Sequence, residues 1–178
     1  MDSYTHSNHP ALIYQSMLAD QYRMQSYRRA IEKVVKEGDI VVDLGTGTGV
    51  LAMMAVQAGA QHVFAVEVRP QMIAITQKII EQNDMSEKIT LIEGDARDII
   101  LPEKVDLILS ELIGDFGTDE NIQECVSSVA HRYLKPNGKI LPNKLETYLV
   151  PISYKDEFQG IWSSPIQGLN LNYVSTLN

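Results

Sequence analysis

Internal disulfides are excluded: Cys125 is the one cysteine in 178 residues. That usage suits a reducing compartment. Long apolar runs are also missing, and none approaches the roughly 20 residues needed to span a bilayer. The opening stretch, Met1 to Pro10, is polar and lacks the basic and apolar regions of a secretory leader. The expectation is a cytoplasmic protein. Basic residues are outnumbered, with 15 Lys and Arg against 23 Asp and Glu and a net charge of −8. An acidic surface speaks against nucleic acid or an anionic membrane as partner and is compatible with cationic ligands. Internal repeats and low-complexity linkers are missing as well. What remains is 44% hydrophobic and 21% charged residues, the proportions of an ordinary globular domain.

The apolar pattern changes period repeatedly along the chain. Leu12, Ile13, Met17, Leu18, Met24, Ile31, Val34 and Val35 recur at spacings near three and four, which predicts one helix over Ala11–Lys36, ended by Gly38. Ile40-Val41-Val42 is a β-branched run of the kind buried on both faces. Further strands are expected at His62–Glu67, Ile89–Glu93 and Val105–Ser110, with helices at Val50–Ala58, Gln71–Gln82 and Asn121–Leu134. Pro136-Asn137-Gly138 reads as a turn into a strand at Lys139–Leu141. Such alternation predicts an α/β, Rossmann-like fold, a parallel sheet flanked by helices. The expected organisation is N-terminal helices over 1–37, the α/β domain over 38–150, and a Ser-, Asn-, Gln- and Gly-rich stretch over 151–178. That last stretch reads as a tail or the start of something longer.

The most informative segment is Asp43-Leu44-Gly45-Thr46-Gly47-Thr48-Gly49. It follows a strand and opens a helix, at the sheet edge where α/β proteins bind ligands. A dinucleotide fingerprint would be G-x-G-x-x-G, but here the third glycine comes one residue early and Val50 takes its place. Asp43 would repel a pyrophosphate, yet suits an ammonium group. S-adenosyl-L-methionine, with an amino-acid end, a ribose and no phosphate, fits this pattern better. Glu67, ending the second strand, is placed to accept from both hydroxyls of an unphosphorylated ribose. Asp95, in Glu93-Gly94-Asp95-Ala96-Arg97 after the third strand, is placed to meet an adenine amino group.

A second cluster follows the fourth strand. Glu111 and Glu120 bracket a loop with two glycines and Phe116. Two converging carboxylates suit a planar cation, and guanidinium offers the matching fork of donors. A bland reading makes Glu120 a helix-start charge with Asp119 as cap.

These segments resemble the protein arginine methyltransferases, over about Tyr14 to Ile152. Val41–Gly49 resembles the family's cofactor loop, Ala65-Val66-Glu67 its ribose-binding strand end, and Ser110–Glu120 its two-glutamate loop. Leu134–Pro142 is similar to the segment that follows. Met17–Arg23 with Tyr27-Arg28 resembles a lid helix over the cofactor. By this resemblance Glu111 and Glu120 are catalytic. The cofactor binders would be Tyr14, Arg23 (to the methionine carboxylate), Asp43, Gly45, Thr46, Gly47, Gly49, Glu67, Asp95, Ala96 and Cys125. Met17 would face the reacting centre, and no metal is implied. Glu-Leu-Ile-Gly-Asp-Phe is closer to the symmetric-dimethylating branch and Met17 to the asymmetric one, so no product symmetry is read from them.

The family continues into a β-barrel that forms half of the substrate groove. This chain ends at Asn178, near where the barrel would start, and His131 lies on a helix of the first domain. The expected activity is methyl transfer from S-adenosyl-L-methionine to an arginine-type nitrogen of a protein, a peptide or a guanidinium-like small molecule. The alternatives are a small-molecule N- or O-methyltransferase and a truncated or inactive cofactor-binding interaction module. A face left open by the missing barrel would favour a homodimer or a partner through Ile152, Ile161, Trp162 and Ile166.

Overall fold

The computed structural model describes residues 10–114, 116–118 and 120–151, with side chains from Tyr14 onward. Its elements are α1 (Pro10–Ala19), α2 (Gln21–Val34), β1 (Ile40–Leu44), α3 (Val50–Gln57), β2 (His62–Glu67), α4 (Pro70–Gln82), β3 (Ile89–Glu93), β4 (Val105–Ser110), α5 (Ile122–Tyr133) and β5 (Leu134–Leu141). The strands form one sheet in the order β3-β2-β1-β4-β5, with every pairing parallel. The expected α/β class is therefore observed, and β2, β3 and β4 have the bounds read from the sequence.

Strand alternation makes two cores. Val41, Val63, Ala65, Leu107 and Leu109 face α2, α3 and α4 on one side. Ile40, Val42, Leu44, Phe64, Val66 and Ile108 face α5 and residues Ala96, Ile99 and Leu101 on the other. Burial on both faces explains why β1, β2 and β4 are mostly apolar and do not alternate with polar residues. The chain crosses from one side of β1 to the other between β3 and β4. The C-terminal ends of β1 and β4 therefore meet at a topological switch point, the place where open α/β sheets bind ligands.

Two expectations need correction. The single N-terminal helix is two helices, broken at Asp20, whose ψ of 89° is not helical. Its carboxylate accepts from Arg23 N at 3.0 Å and so caps α2. A cap falling inside an apolar stripe leaves the periodicity intact, which hides the break from the sequence. The Pro136-Asn137-Gly138 turn does not precede the last strand but lies within it. Val105 pairs with Leu134 and Leu107 with Lys139, so the residues between bulge out of β5. Only an edge strand tolerates this, since proline has no N–H to give the ladder.

The chain divides after Leu145, and Glu146 begins a second unit, of which residues 146–151 are described. Ile152, Ile161, Trp162 and Ile166 lie outside the described residues, as does Asp119. No described helix is long and apolar enough to cross a membrane.

Candidate active site

The turn after β1 is built by glycines in left-handed conformation. Gly45 has φ 72° and Gly47 φ 55°, a region that other residues enter only at a cost of about 1–2 kcal/mol. Space is short as well. A Cβ on Gly45 would stand 2.5 Å from Leu112 Cδ2, and one on Gly47 would stand 2.5 Å from Tyr14 Cε1. Gly49, also left-handed, precedes α3. Thr46 is buried, and its N–H donates to Val66 O at 2.8 Å, which ties the turn to the end of β2.

Asp43 ends the inner row of β1 and is 1% exposed. Thr46 Oγ1 donates to its Oδ2 at 2.7 Å, and the Ala52 backbone donates to it as well. Burial pushes its carboxyl up to about 7, more than these hydrogen bonds hold it down; Glu67 and Glu111 add to the rise. Near neutral pH it is thus divided between acid and carboxylate, and a cation beside it would favour the carboxylate.

Glu67, at the end of β2, is also buried. Gly47 N donates to its Oε2 at 3.0 Å, while Arg69 donates its N (3.0 Å) and Nε (3.2 Å) to Oε1. Three of a carboxylate's about four acceptor positions are thereby taken. Arg69 Nη2 also donates to Tyr14 Oη, and its guanidinium lies 5.3 Å from the centre of the Tyr14 ring. Burial, with Glu67 nearby, raises the Tyr14 phenol to about 12. Helix α1 thus lays Tyr14 across the glycine turn. Half-buried Met17 lies one turn further along the same helix.

Glu111 follows β4, with its side chain 13% exposed and 3.8 Å from Arg23 Nη1. Burial raises its carboxyl to about 6; Arg23 opposes the rise and Glu120 adds to it. The two glutamates are thus close enough to feel one another, and both also act on Tyr14. Half-buried Glu120 stands just before Asn121, whose left-handed backbone starts α5. Tyr27 of α2 donates its hydroxyl to Ser110 O at 3.3 Å, which pins α2 to the end of β4. Burial, with Glu111 beside it, raises the Tyr27 phenol.

Asp95 sits apart from this group, in the loop after β3. Arg97 holds it with Nε on Oδ1 at 2.9 Å and a second donor on Oδ2, which lowers its carboxyl to about 2. Buried Cys125 on α5 lies near this pair, and burial raises its thiol. Ala96 is buried in the same loop.

Sequence reasoning does not single out two cationic side chains here, Arg69 and Arg132, whereas Tyr27 belongs to the lid-helix segment named above. Arg69 follows Glu67 by two residues, and that spacing was the available signal. Arg132 is a staple from α5. It donates to Ile99 O and Arg97 O at 2.7 Å, to Ala96 O at 3.3 Å and to Ser128 Oγ at 3.1 Å. Its guanidinium also lies 5.1 Å from the Tyr133 ring centre. Lysine has no planar fork to hold several carbonyls at once. Arg132→Lys is therefore expected to lower stability by about 1–3 kcal/mol and to speed amide exchange within 95–99. Denaturant unfolding and hydrogen exchange measure both effects.

Among the described residues no cluster of three or more His, Cys, Asp or Glu is placed to hold a metal ion. Gathered at the switch point are Tyr14, Arg23, Asp43, Glu67, Glu111 and Glu120, with Asp95, Ala96 and Cys125 along the β3–α5 side.

A glycine turn between two buried carboxylates at the switch point of a parallel sheet is the arrangement of a nucleoside-binding site, and comparison with known proteins makes the domain a methyltransferase one. Residues 28–141 match the family model described as ribosomal protein L11 methyltransferase (PrmA). The chain is 39% identical to protein arginine N-methyltransferase 1 of Dictyostelium discoideum over 97% of its own length and 51% of that protein. It is 40% identical to protein arginine N-methyltransferase 1 of Schizosaccharomyces pombe over 90% of its length and 48% of that protein. Among solved structures it resembles Arabidopsis thaliana protein arginine methyltransferase 10, with a TM-score of 0.68 at 40% identity over 73% of this chain and 38% of that one. It also resembles the Trypanosoma brucei PRMT1 enzyme–prozyme heterotetrameric complex with AdoHcy, with a TM-score of 0.72 at 30% identity over 99% of this chain and 55% of that one. The chain belongs to the protein arginine methyltransferase family, and it spans about half the length of the curated relatives it matches.

Proposed function

We propose that this chain binds S-adenosyl-L-methionine at the switch point between β1 and β4 and directs its methyl group to a guanidinium nitrogen of arginine in a protein or peptide. The observation that carries this reading is the placement of Glu111 after β4, 3.8 Å from Arg23, with Glu120 near it and with the next residue, Leu112, packed on Gly45 of the glycine turn. The residues suit the cofactor's groups. The turn carries no lysine or arginine for a pyrophosphate, and its buried acids Asp43 and Glu67 would repel one. Asp43 would take the ammonium group, Arg23 the carboxylate and Glu67 the ribose hydroxyls. Asp95 and Ala96 would meet the adenine, with Tyr14 and Cys125 beside the cofactor. Glu67 has room for a ribose only if Arg69 gives up part of its hold. The T. brucei relative, solved with AdoHcy, supports the same cofactor class here.

The cofactor, when bound, supplies a methyl group on an electrophilic sulfonium. The chain's own residues do the rest. Glu111 and Glu120 would hold two guanidinium nitrogens and keep positive charge on them, which leaves electron density on the third. Orientation then supplies much of the rate. The departing proton passes to one of these carboxylates or to water, and a Glu111 carboxyl near 6 is matched to that task near neutral pH.

The test is direct. Calorimetry is expected to show one S-adenosyl-L-methionine site per chain, and labelled methyl groups to appear on an arginine-rich peptide but not on its lysine counterpart. Binding without transfer to any acceptor would leave a cofactor-binding module instead. Transfer to small guanidines or hydroxyl compounds alone would make it a small-molecule enzyme.

A further inference from the structure

The opposite edge of the sheet carries a concavity that the activity above does not use. It lies at the N-terminal ends of β1 and β4 and is walled by the bulge in β5, with a volume of roughly 380 Å3. Ligand pockets begin at about this size. Val34 and Leu107 give it an apolar floor, and Lys36, Lys135 and Lys139 supply its cations.

Its two acids already have partners. Asp106 Oδ2 accepts from Lys135 Nζ at 2.7 Å and from Ile40 N at 2.9 Å, which holds its carboxyl below the usual range despite partial burial. Asp39 Oδ2 accepts from Lys36 N at 2.9 Å. Lys135 is thus neutralised, whereas the ammonium groups of exposed Lys36 and Lys139 have no ion-pair partner among the described residues. In a chain of net charge −8, this lining of three lysines and two aspartates is net positive by one, since the hydrogen bond from Lys36 N leaves the charge of Asp39 in place. The bulge makes this possible. An unbulged β5 would run on in register with β4, whereas the looped-out residues 135–138 stand as a wall beside Lys139.

We propose that this concavity binds a small phosphate-bearing molecule, its phosphate between Lys36 and Lys139 and its apolar body over Val34 and Leu107. Lysine serves phosphate as a point charge. The site is separate from the methyl-transfer site, at the other end of β4, and does not depend on that reading.

The probes are phenyl phosphate and inorganic phosphate, titrated into the 178-residue chain and followed by backbone and methyl NMR. Saturable shifts at Val34, Leu107 and Lys139 are expected, stronger with the phenyl ester and weakened by salt. Lys36→Gln with Lys139→Gln is expected to weaken binding about tenfold or more. Lys78→Gln, on the exposed surface of α4, is expected to change nothing. Neither lysine of the double variant takes part in the ladder through its side chain, so the thermal midpoint is expected to hold and to exclude unfolding. Shifts that do not saturate, that persist unchanged in the double variant, or that centre on the glycine turn would overturn the proposal.

Discussion

Glu111→Gln is expected to cut methyl transfer to an arginine peptide by roughly a hundredfold or more, the magnitude attached to losing one preorganised electrostatic partner of a reacting group. Glutamine keeps the shape and loses the charge that would hold the guanidinium. It also removes the 3.8 Å ion pair with Arg23. The Arg23 side of that pair is 35% exposed to water, so its loss has little effect on stability. The thermal midpoint should hold or rise, because ionising a buried carboxylate opposes folding. Wild-type activity is expected to increase as the pH rises through about 6, where Glu111 loses its proton, and the variant should lose that limb. Rates from about pH 5 to pH 8, with cofactor affinity measured alongside, test this. Undiminished transfer by the variant would remove Glu111 from the clamp. Equal losses of cofactor binding and transfer would make its role one of holding Arg23.

Asp43→Asn is expected to move stability and binding in opposite directions. The native carboxyl is raised from 3.8 to about 7 by burial, so the folded state holds its proton more tightly than the unfolded chain. Its contribution is therefore most favourable below about pH 4 and declines as the pH rises toward 7. Asparagine removes that decline and keeps an oxygen to accept from Thr46. At about pH 8 the variant should be more stable by roughly 2 kcal/mol, and near pH 4 the two proteins should converge. S-adenosyl-L-methionine binding should fall about tenfold to a hundredfold, the loss of a charge-assisted contact to the ammonium group. In the wild type that affinity should rise with pH through about 7 as the carboxyl ionises. Unfolding curves at the two pH values and calorimetry check each arm. Unchanged affinity would leave Asp43 as a brace for the glycine turn and nothing more.

Site residues differed in how clearly the sequence displayed them, for a physical reason. Asp43, Glu67, Asp95 and Glu111 end or follow strands, and a parallel sheet brings all such ends to one edge. Strand recognition alone therefore gathered them. Asp95 shows the limit of that reasoning. Its place in the loop was legible, but its hold on Arg97 is a matter of side-chain direction, which no spacing encodes. Tyr14 and Arg23 entered through resemblance, because nothing in an amphipathic stripe says which sheet edge its helix will cross.

The sequence by itself determined the strands, their parallel pairing and the glycine turn. Doubly buried strands need mostly apolar residues on both faces, and a left-handed turn needs residues without a Cβ. Only the tertiary structure decided the break at Asp20 and the bulge in β5. It alone showed the Tyr14–Arg69 cover over Glu67 and the Arg132 staple on the loop after β3. Each of these depends on one polar group meeting a partner far along the chain. Such meetings are set by three-dimensional packing, and local pattern carries no record of them.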